Sequence, residues 1–152
     1  MNNGADKIGD AFADSLIEVI MGTSGFFFEV LSSESDSDFD GTIGLMRLEG
    51  EKSGMLFVSA EKTDMKVLCS FMAGVAQDEV TEDDIRDAMC EIVNMTAGGA
   101  KLRLGGGDYI FSLSPPFAIS GENMSVSAKK RTRVISRTVG DGDISVKLKI
   151  IY

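Results

Sequence analysis

Apolar and polar positions follow two different periods along this chain, and the periods divide it into elements. From residue 5 to residue 21, small and apolar side chains (Ile8, Ala11, Phe12, Ser15, Leu16, Val19) recur at steps of three and four, the signature of a helix with one buried face. Gly22 is placed to stop it. Phe26 to Leu31 is strand-like, and the polar, acidic stretch from Ser32 to Asp40 reads as a mobile loop. That stretch lacks the glycine and closing glutamate of an EF-hand calcium loop. Two strands, 42–49 and 54–60, are joined through Gly50–Gly54 as a hairpin. Thr63 is positioned to cap a helix over 64–72, which Gly74 ends. Thr81, with Asp84 three residues on, comes close to a capping box for a helix reaching Leu104, where Gly105-Gly106-Gly107 closes it. The remainder reads as strands: 109–114, closed by Pro115-Pro116, then a long one over 125–139, and 144–152, the last two joined at Gly140-Asp141-Gly142. This order predicts one α+β domain over residues 1–152, with helices packed on a mostly antiparallel sheet. A loose strand-strand-helix/helix-strand-strand mirror surrounds the midpoint, without a sequence repeat.

Composition narrows the chemistry more than the fold. The 152 residues are 43% hydrophobic and 26% charged, an ordinary globular balance with enough chain for a core. There is no histidine, which removes Ser-His-Asp and Cys-His catalysis and most zinc sites. Cys69 and Cys90 lie in apolar helical segments and read as small buried hydrophobes. The net charge of -9 disfavours nucleic acid. The one basic cluster, Lys129-Lys130-Arg131 with Arg133, is expected on a charged edge or solvated face. No apolar run approaches the roughly 20 residues of a membrane span, and the N-terminus lacks the order of a signal peptide, so a soluble, cytoplasmic protein is expected. A P-loop is absent: the triple glycine follows a helix and lacks the lysine.

The helix from Thr81 carries the informative pattern. Turned at about 100° per residue, it gathers Ile85, Met89, Ile92, Thr96 and Ala100 on one side. Asp84, Asp87, Glu91, Asn94, Gly98 and Lys101 gather on the other. The first stripe is a core face. The second is unusual as a solvated face, because Asn is a poor helix-interior residue and Gly98 and Gly99 each cost about 1 kcal/mol against Ala. Gly99 suits a tight helix-helix crossing, whereas Gly98, on the polar side, suits the close approach of a partner.

On these residues the chain resembles a family. Asp87-x-x-x-Glu91-x-x-Asn94 is similar to the (Ser/Asp)-x-x-x-Glu-x-x-Asn signature of the CheX/CheC/FliY chemotaxis phosphatases. The resemblance extends to Gly44–Ala60, Phe71-Met72-Ala73-Gly74 and Ser114–Gly121, and is clearest from Gly41 to Gly121. CheC-type members carry two such motifs and this chain has one, so the CheX type is nearer. The family often has Asn where Gly99 stands, and Ser32–Asp40 resembles a local elaboration.

The resemblance implies a protein that dephosphorylates a CheY-type response regulator. The receiver domain would supply the phosphorylated aspartate and its Mg²⁺, so this chain would need no cofactor of its own. Asn94 would orient the attacking water, Glu91 would engage the receiver's lysine, and Asp87 and Gly98 would support docking. The resemblance further implies a homodimer whose sheets join, with the C-terminal strands offering edges. Two other readings use the same stripe: a docking or dimerisation module that binds a receiver domain or a flagellar-switch component without hydrolysis, and a structural or dimerisation protein in which Glu91 and Asn94 tolerate substitution. Phosphate release, as against binding alone, separates the first from a phosphatase.

Overall fold

The computed structural model describes residues 3–33, 39–51, 53–106 and 111–152. Three α-helices, α1 (Asn3–Ser24), α2 (Lys62–Ala73) and α3 (Glu82–Leu104), accompany seven strands. The strands are β1 (Glu29–Ser32), β2 (Phe39–Gly50), β3 (Gly54–Glu61), β4 (Phe111–Leu113), β5 (Phe117–Met124), β6 (Val134–Gly140) and β7 (Ser145–Ile151). They form one antiparallel sheet in the order β1-β6-β7-β3-β2-β4, with β5 also paired to β2. The α+β class expected from the pattern is the one observed.

Register explains which sheet face is buried. Gly44 pairs with Val58 and Val58 with Leu148, which pairs with Arg137. A methyl on Gly44 would meet Met89 of α3, and one on Gly9 of α1 would meet Arg137, so α1 and α3 share this face. Met46, Leu56, Val58, Leu148 and Ile150 are at most 2% exposed and meet Phe12, Leu16 and Ile20 from α1 and Ile85, Met89 and Ile92 from α3. On the opposite face Lys149 donates to the Val126 carbonyl (2.6 Å), which ties the 125–133 segment across the sheet.

Several boundaries differ from the sequence pattern, each for a local reason. Gly22 does not stop α1: the helix continues, the Thr23 hydroxyl donates to the Val19 carbonyl (2.7 Å), and Gly25, at φ 78°, closes it by donating to Met21 (3.0 Å). Phe26 and Phe28 precede β1 as packing residues, Phe26 lying edge-on to Phe71 at 5.0 Å. Thr63 does not cap α2. The helix follows β3 with no intervening loop, so Glu61 is both the last strand residue and the N-cap, and Thr63 falls within the first turn. Gly74 ends α2 in the left-handed conformation, as expected. Phe39 and Asp40 belong to β2 and Ser32 to β1, while residues 34–38 of the expected loop, and the start of the expected 109–114 strand, lie outside the described residues.

The long strand over 125–139 is in fact two things. Residues 125–133 are not a strand: Thr132 donates to Lys129 (3.0 Å) and Arg131 sits at φ 70°, a turn that breaks the extended run before β6. The basic cluster is therefore in a largely exposed loop. β5, by contrast, is a full strand where the sequence pattern places none, between the strand closed at Pro115-Pro116 and the one expected from 125. Moreover, β7 is interior to the sheet, whereas β1 pairs only with Thr138–Gly140 of β6, so Val134–Arg137 of β6 has no strand on its outer side among the described residues. The edges are β1 with the uncovered Val134–Arg137 of β6 on one side and β4 with β5, end to end along β2, on the other.

Candidate functional site

α3 is held at both ends and along one side. At its start the Asp84 N–H donates to the Thr81 hydroxyl (3.1 Å), and the Thr81 N–H donates to the Asp84 carboxylate (2.9 Å). This reciprocal box satisfies two of the four unpaired N–H groups of a helix start. The Thr81 backbone N–H, and after it the Thr81 hydroxyl, hold the Asp84 carboxyl below its ordinary range. Three acidic residues in the first turn and Lys101 and Arg103 in the last complement the helix dipole. Gly105, at φ 72°, ends the helix through a bond to the Lys101 carbonyl.

The buried side of α3 includes the expected Ile85, Met89, Ile92, Thr96 and Ala100, each at most 2% exposed. Here α3 crosses α1. The Ser15 hydroxyl, buried, donates to the Thr96 carbonyl (2.8 Å), and Arg103 pairs with Glu18. Gly99 makes the crossing possible: a methyl there would collide with the Ser15 hydroxyl. Gly98 differs. A methyl on it would meet nothing within 4 Å. One glycine therefore serves the helix crossing, and the other opens outward.

The exposed side brings Asp87, Glu91 and Asn94 together in line with Gly98. Glu91 and Asn94 are three residues apart, so their Cβ atoms lie roughly 5–6 Å apart on one face. Among the described residues, none of these three side chains forms a hydrogen bond or ion pair. Asp84, counted with the stripe from the pattern, is instead occupied by the cap. Two residues the pattern did not single out, Met95 (40% exposed) and Leu102 (83% exposed), stand on the same side. Their signal was present as apolar residues seven apart among polar neighbours.

The arrangement is a projecting ridge. A groove of about 410 Å³ lies beyond the start of α3, among Thr42, Lys62, Glu82, Arg86 and Ser120, and none of Asp87, Glu91, Asn94 or Gly98 lines it. Lys62 and Glu82 pair across that groove's rim at 2.9 Å. Among the described residues, no group of three or more His, Cys, Asp or Glu is placed to hold a metal ion. Cys69 is buried and Cys90 half-buried, and burial pushes both thiols up, with Asp87 adding a smaller push in the same direction. Neither is an activated nucleophile. What the ridge offers is a carboxylate and a carboxamide on a rigid helix, able to enter a concave site on another molecule. No helix among the described residues is long and apolar enough to cross a membrane.

Comparison with known proteins agrees with the fold. The family model for the chemotaxis phosphatase CheX matches residues 42–139. Among solved structures, a CheC-like superfamily protein from Shewanella sp. PV-4 superposes with a TM-score of 0.83 at 23% identity, over 95% of this chain and 96% of that one. CheX from Vibrio vulnificus gives 0.82 at 18% identity, over 93% and 96%. CheX in a complex with CheY, BeF3 and Mg²⁺ from Borrelia burgdorferi gives 0.80 at 20% identity, over 93% and 95%. At these identities the structures speak for the fold alone. A comparison with curated proteins finds no match.

Proposed function

Because the chain belongs to the chemotaxis phosphatase CheX family, we propose that it hydrolyses the aspartyl phosphate of a CheY-type receiver domain, with Asn94 and Glu91 as the working pair. The observation that carries the reading is the exposed line of Asp87, Glu91, Asn94 and Gly98 on a helix fixed by caps and a buried crossing. That CheX from Borrelia burgdorferi forms a complex with CheY, BeF3 and Mg²⁺ supports a receiver as the partner and the partner as the holder of Mg²⁺.

Phosphoryl transfer asks for little covalent help, and positioning with charge stabilisation does most of the work. The water oxygen forms a new bond to phosphorus, and the bond from phosphorus to the receiver's carboxylate oxygen breaks. Aspartate and inorganic phosphate result, and the water's proton leaves with the phosphate or to solvent. The Asn94 carboxamide holds that water in line by accepting a hydrogen bond from it, which an amide does without being a base. Glu91 pairs with the receiver's lysine and so fixes the depth to which Asn94 enters. Asp87 supports docking one turn earlier, and Gly98 lets the receiver's surface approach closely. Mg²⁺ on the receiver screens the phosphoryl charge.

The test is the decay of a phosphorylated CheY-type receiver from the same organism, with and without the protein. Acceleration should be lost, by at least about a hundredfold, in Asn94→Ala with binding largely kept, the scale of losing an essential positioning group. Glu91→Ala should weaken binding as well. Full activity in Asn94→Ala would exclude the assignment, and binding without acceleration in the native protein would favour a docking module.

We also propose a homodimer. β5 is the longer edge for joining sheets: it has eight residues and exposes Phe117 and Ile119 at 54% each, whereas β1 and the uncovered Val134–Arg137 of β6 have four residues each.

A further inference from the structure

Two apolar side chains on the exposed side of α3 have no part in the chemistry above. Leu102 is 83% exposed and Met95 40%. They are seven residues apart, two turns of helix, and so face the same way. Between them lies Gly98, over which a methyl would meet nothing within 4 Å. The residues four and three before it are Asn94 and Met95, and those three and four after it are Lys101 and Leu102, all exposed. Four side chains around a position that has none outline a hole, the shape that accepts a knob from a facing surface.

The fold gains nothing from this hole. Gly98 costs about 1 kcal/mol against Ala in a helix interior, and no close approach within the chain requires it, as Ser15 does of Gly99. Leu102 remains almost wholly in water. Neither feature has a packing partner within the described residues.

The position of the hole identifies the occupant. Asn94 forms one of its corners and is also the residue proposed to enter the receiver's phosphoryl pocket. Leu102 lies eight residues on, roughly 12 Å along the axis. A standard interface of about 800 Å² per partner is about 30 Å across, so a receiver that takes in Asn94 near the centre of its contact also covers Leu102. The hole sits where the stripe passes from acidic Asp87 and Glu91 to basic Lys101; Met95 and Leu102 are its apolar corners, Asn94 and Lys101 its polar ones.

We infer that the Gly98 hole receives an aliphatic or aromatic side chain of the receiver domain, and that Met95 and Leu102 set how tightly the receiver is held. This rests on the receiver-docking reading above. The test pairs two readouts on the full chain. One is steady-state dephosphorylation, which separates KM from kcat. The other is fluorescence anisotropy of a labelled receiver loaded with beryllofluoride and Mg²⁺, which needs no turnover.

Leu102→Ala should raise KM and Kd about five- to tenfold, the usual range for truncating an interface hydrophobe, with kcat at saturating receiver held within about twofold. Met95→Ala should act in the same direction and less. Gly98→Leu should fill the hole and raise Kd at least about tenfold, while its melting temperature rises, because Leu is the better helix former. If Leu102→Ala and Gly98→Leu bind like the native protein while that protein still hydrolyses the phosphoreceiver, the inference fails and the phosphatase stands. If the native protein binds without hydrolysis and the variants bind less, the docking inference stands and the phosphatase reading fails. If the native protein binds no receiver, or if the variants alter only self-association, the inference is overturned.

Discussion

Replacing Gly99 by Ala adds one methyl at the point where α3 crosses α1, and the structure allows its cost to be worked out. As a helix-interior change it gains about 0.8–1.0 kcal/mol. Against this, the methyl collides with the Ser15 hydroxyl and lies 3.3 Å from the Arg103 guanidinium. The hydroxyl is buried and donates to the Thr96 carbonyl at 2.8 Å, so it must give up that bond, and a buried polar group left unpaired costs about 1–3 kcal/mol. Crowding in a close-packed interior adds about 1–3 kcal/mol more where the helices do not part. The terms overlap, and the net expectation is a loss of about 1–3 kcal/mol. Gly98→Ala, one residue away and open to solvent, should gain about 1 kcal/mol. Urea unfolding of both variants should therefore give changes of opposite sign. Ser15→Ala supplies the control. It removes the obstructing oxygen and leaves a carbon 3.4 Å from the new methyl, an ordinary contact. The double variant Ser15→Ala/Gly99→Ala should recover at least about 1 kcal/mol relative to the sum of its parts, well outside the additivity of independent sites. If Gly99→Ala is as stable as Gly98→Ala, or if the cycle is additive, then Ser15 does not limit the approach of α1 to α3.

Three further outcomes are expected. Thr96→Val should raise stability by about 1 kcal/mol in the same urea assay, because the Thr96 hydroxyl is buried with no hydrogen-bond partner among the described residues and its removal relieves that cost; a loss would show that the hydroxyl has a partner. The capping box should make α3 acid-sensitive. The Asp84 carboxyl is held below its ordinary 3.8, so its contribution is present above that pH and is lost as pH falls through the lower folded-state value. Thr81→Ala should reduce stability at neutral pH and flatten this acid dependence in circular dichroism melts, and an unchanged acid limb would count against the assignment. Phe117→Glu with Ile119→Glu should shift the protein from dimer to monomer in light scattering if β5 is the joining edge, while an unchanged dimer would direct attention to β1.

Much of the framework was legible because it rests on local rules. The Thr81–Asp84 box, the glycines that end α2 and α3 and the β2–β3 hairpin each depend on residues within a few positions of one another. What was not legible depends on backbone conformations that composition does not reveal, or on distant partners. Gly22 and Gly25 look alike in sequence, yet only Gly25 takes the left-handed conformation that ends α1. The 125–139 stretch has strand composition throughout, and Arg131 at φ 70° is what divides it. No local pattern places β7 and the end of β6 inside the sheet, because strand order is set by pairings such as Glu29 with Gly140 across more than a hundred residues.

The candidate site shows the same division within one helix. Periodicity alone separates the core stripe of α3 from the exposed one, so Asp87, Glu91, Asn94 and Gly98 fall in line before any coordinates are considered. Periodicity does not say what each exposed residue is free to do. Asp84 belongs to the stripe by angle but is occupied by the cap. Gly98 and Gly99 carry the same helix penalty, and only the position of Ser15 shows that one is spent inside the molecule and the other is not. Leu102 reads as an ordinary helix former until its 83% exposure shows that the core does not use it. For the two glycines and Leu102 the discriminating fact is the presence or absence of a neighbour from elsewhere in the chain. A residue whose cost has no such neighbour to explain it is where a partner's contribution should be sought, which is why Gly98 and Leu102 lead outward to the receiver and Gly99 leads inward to α1.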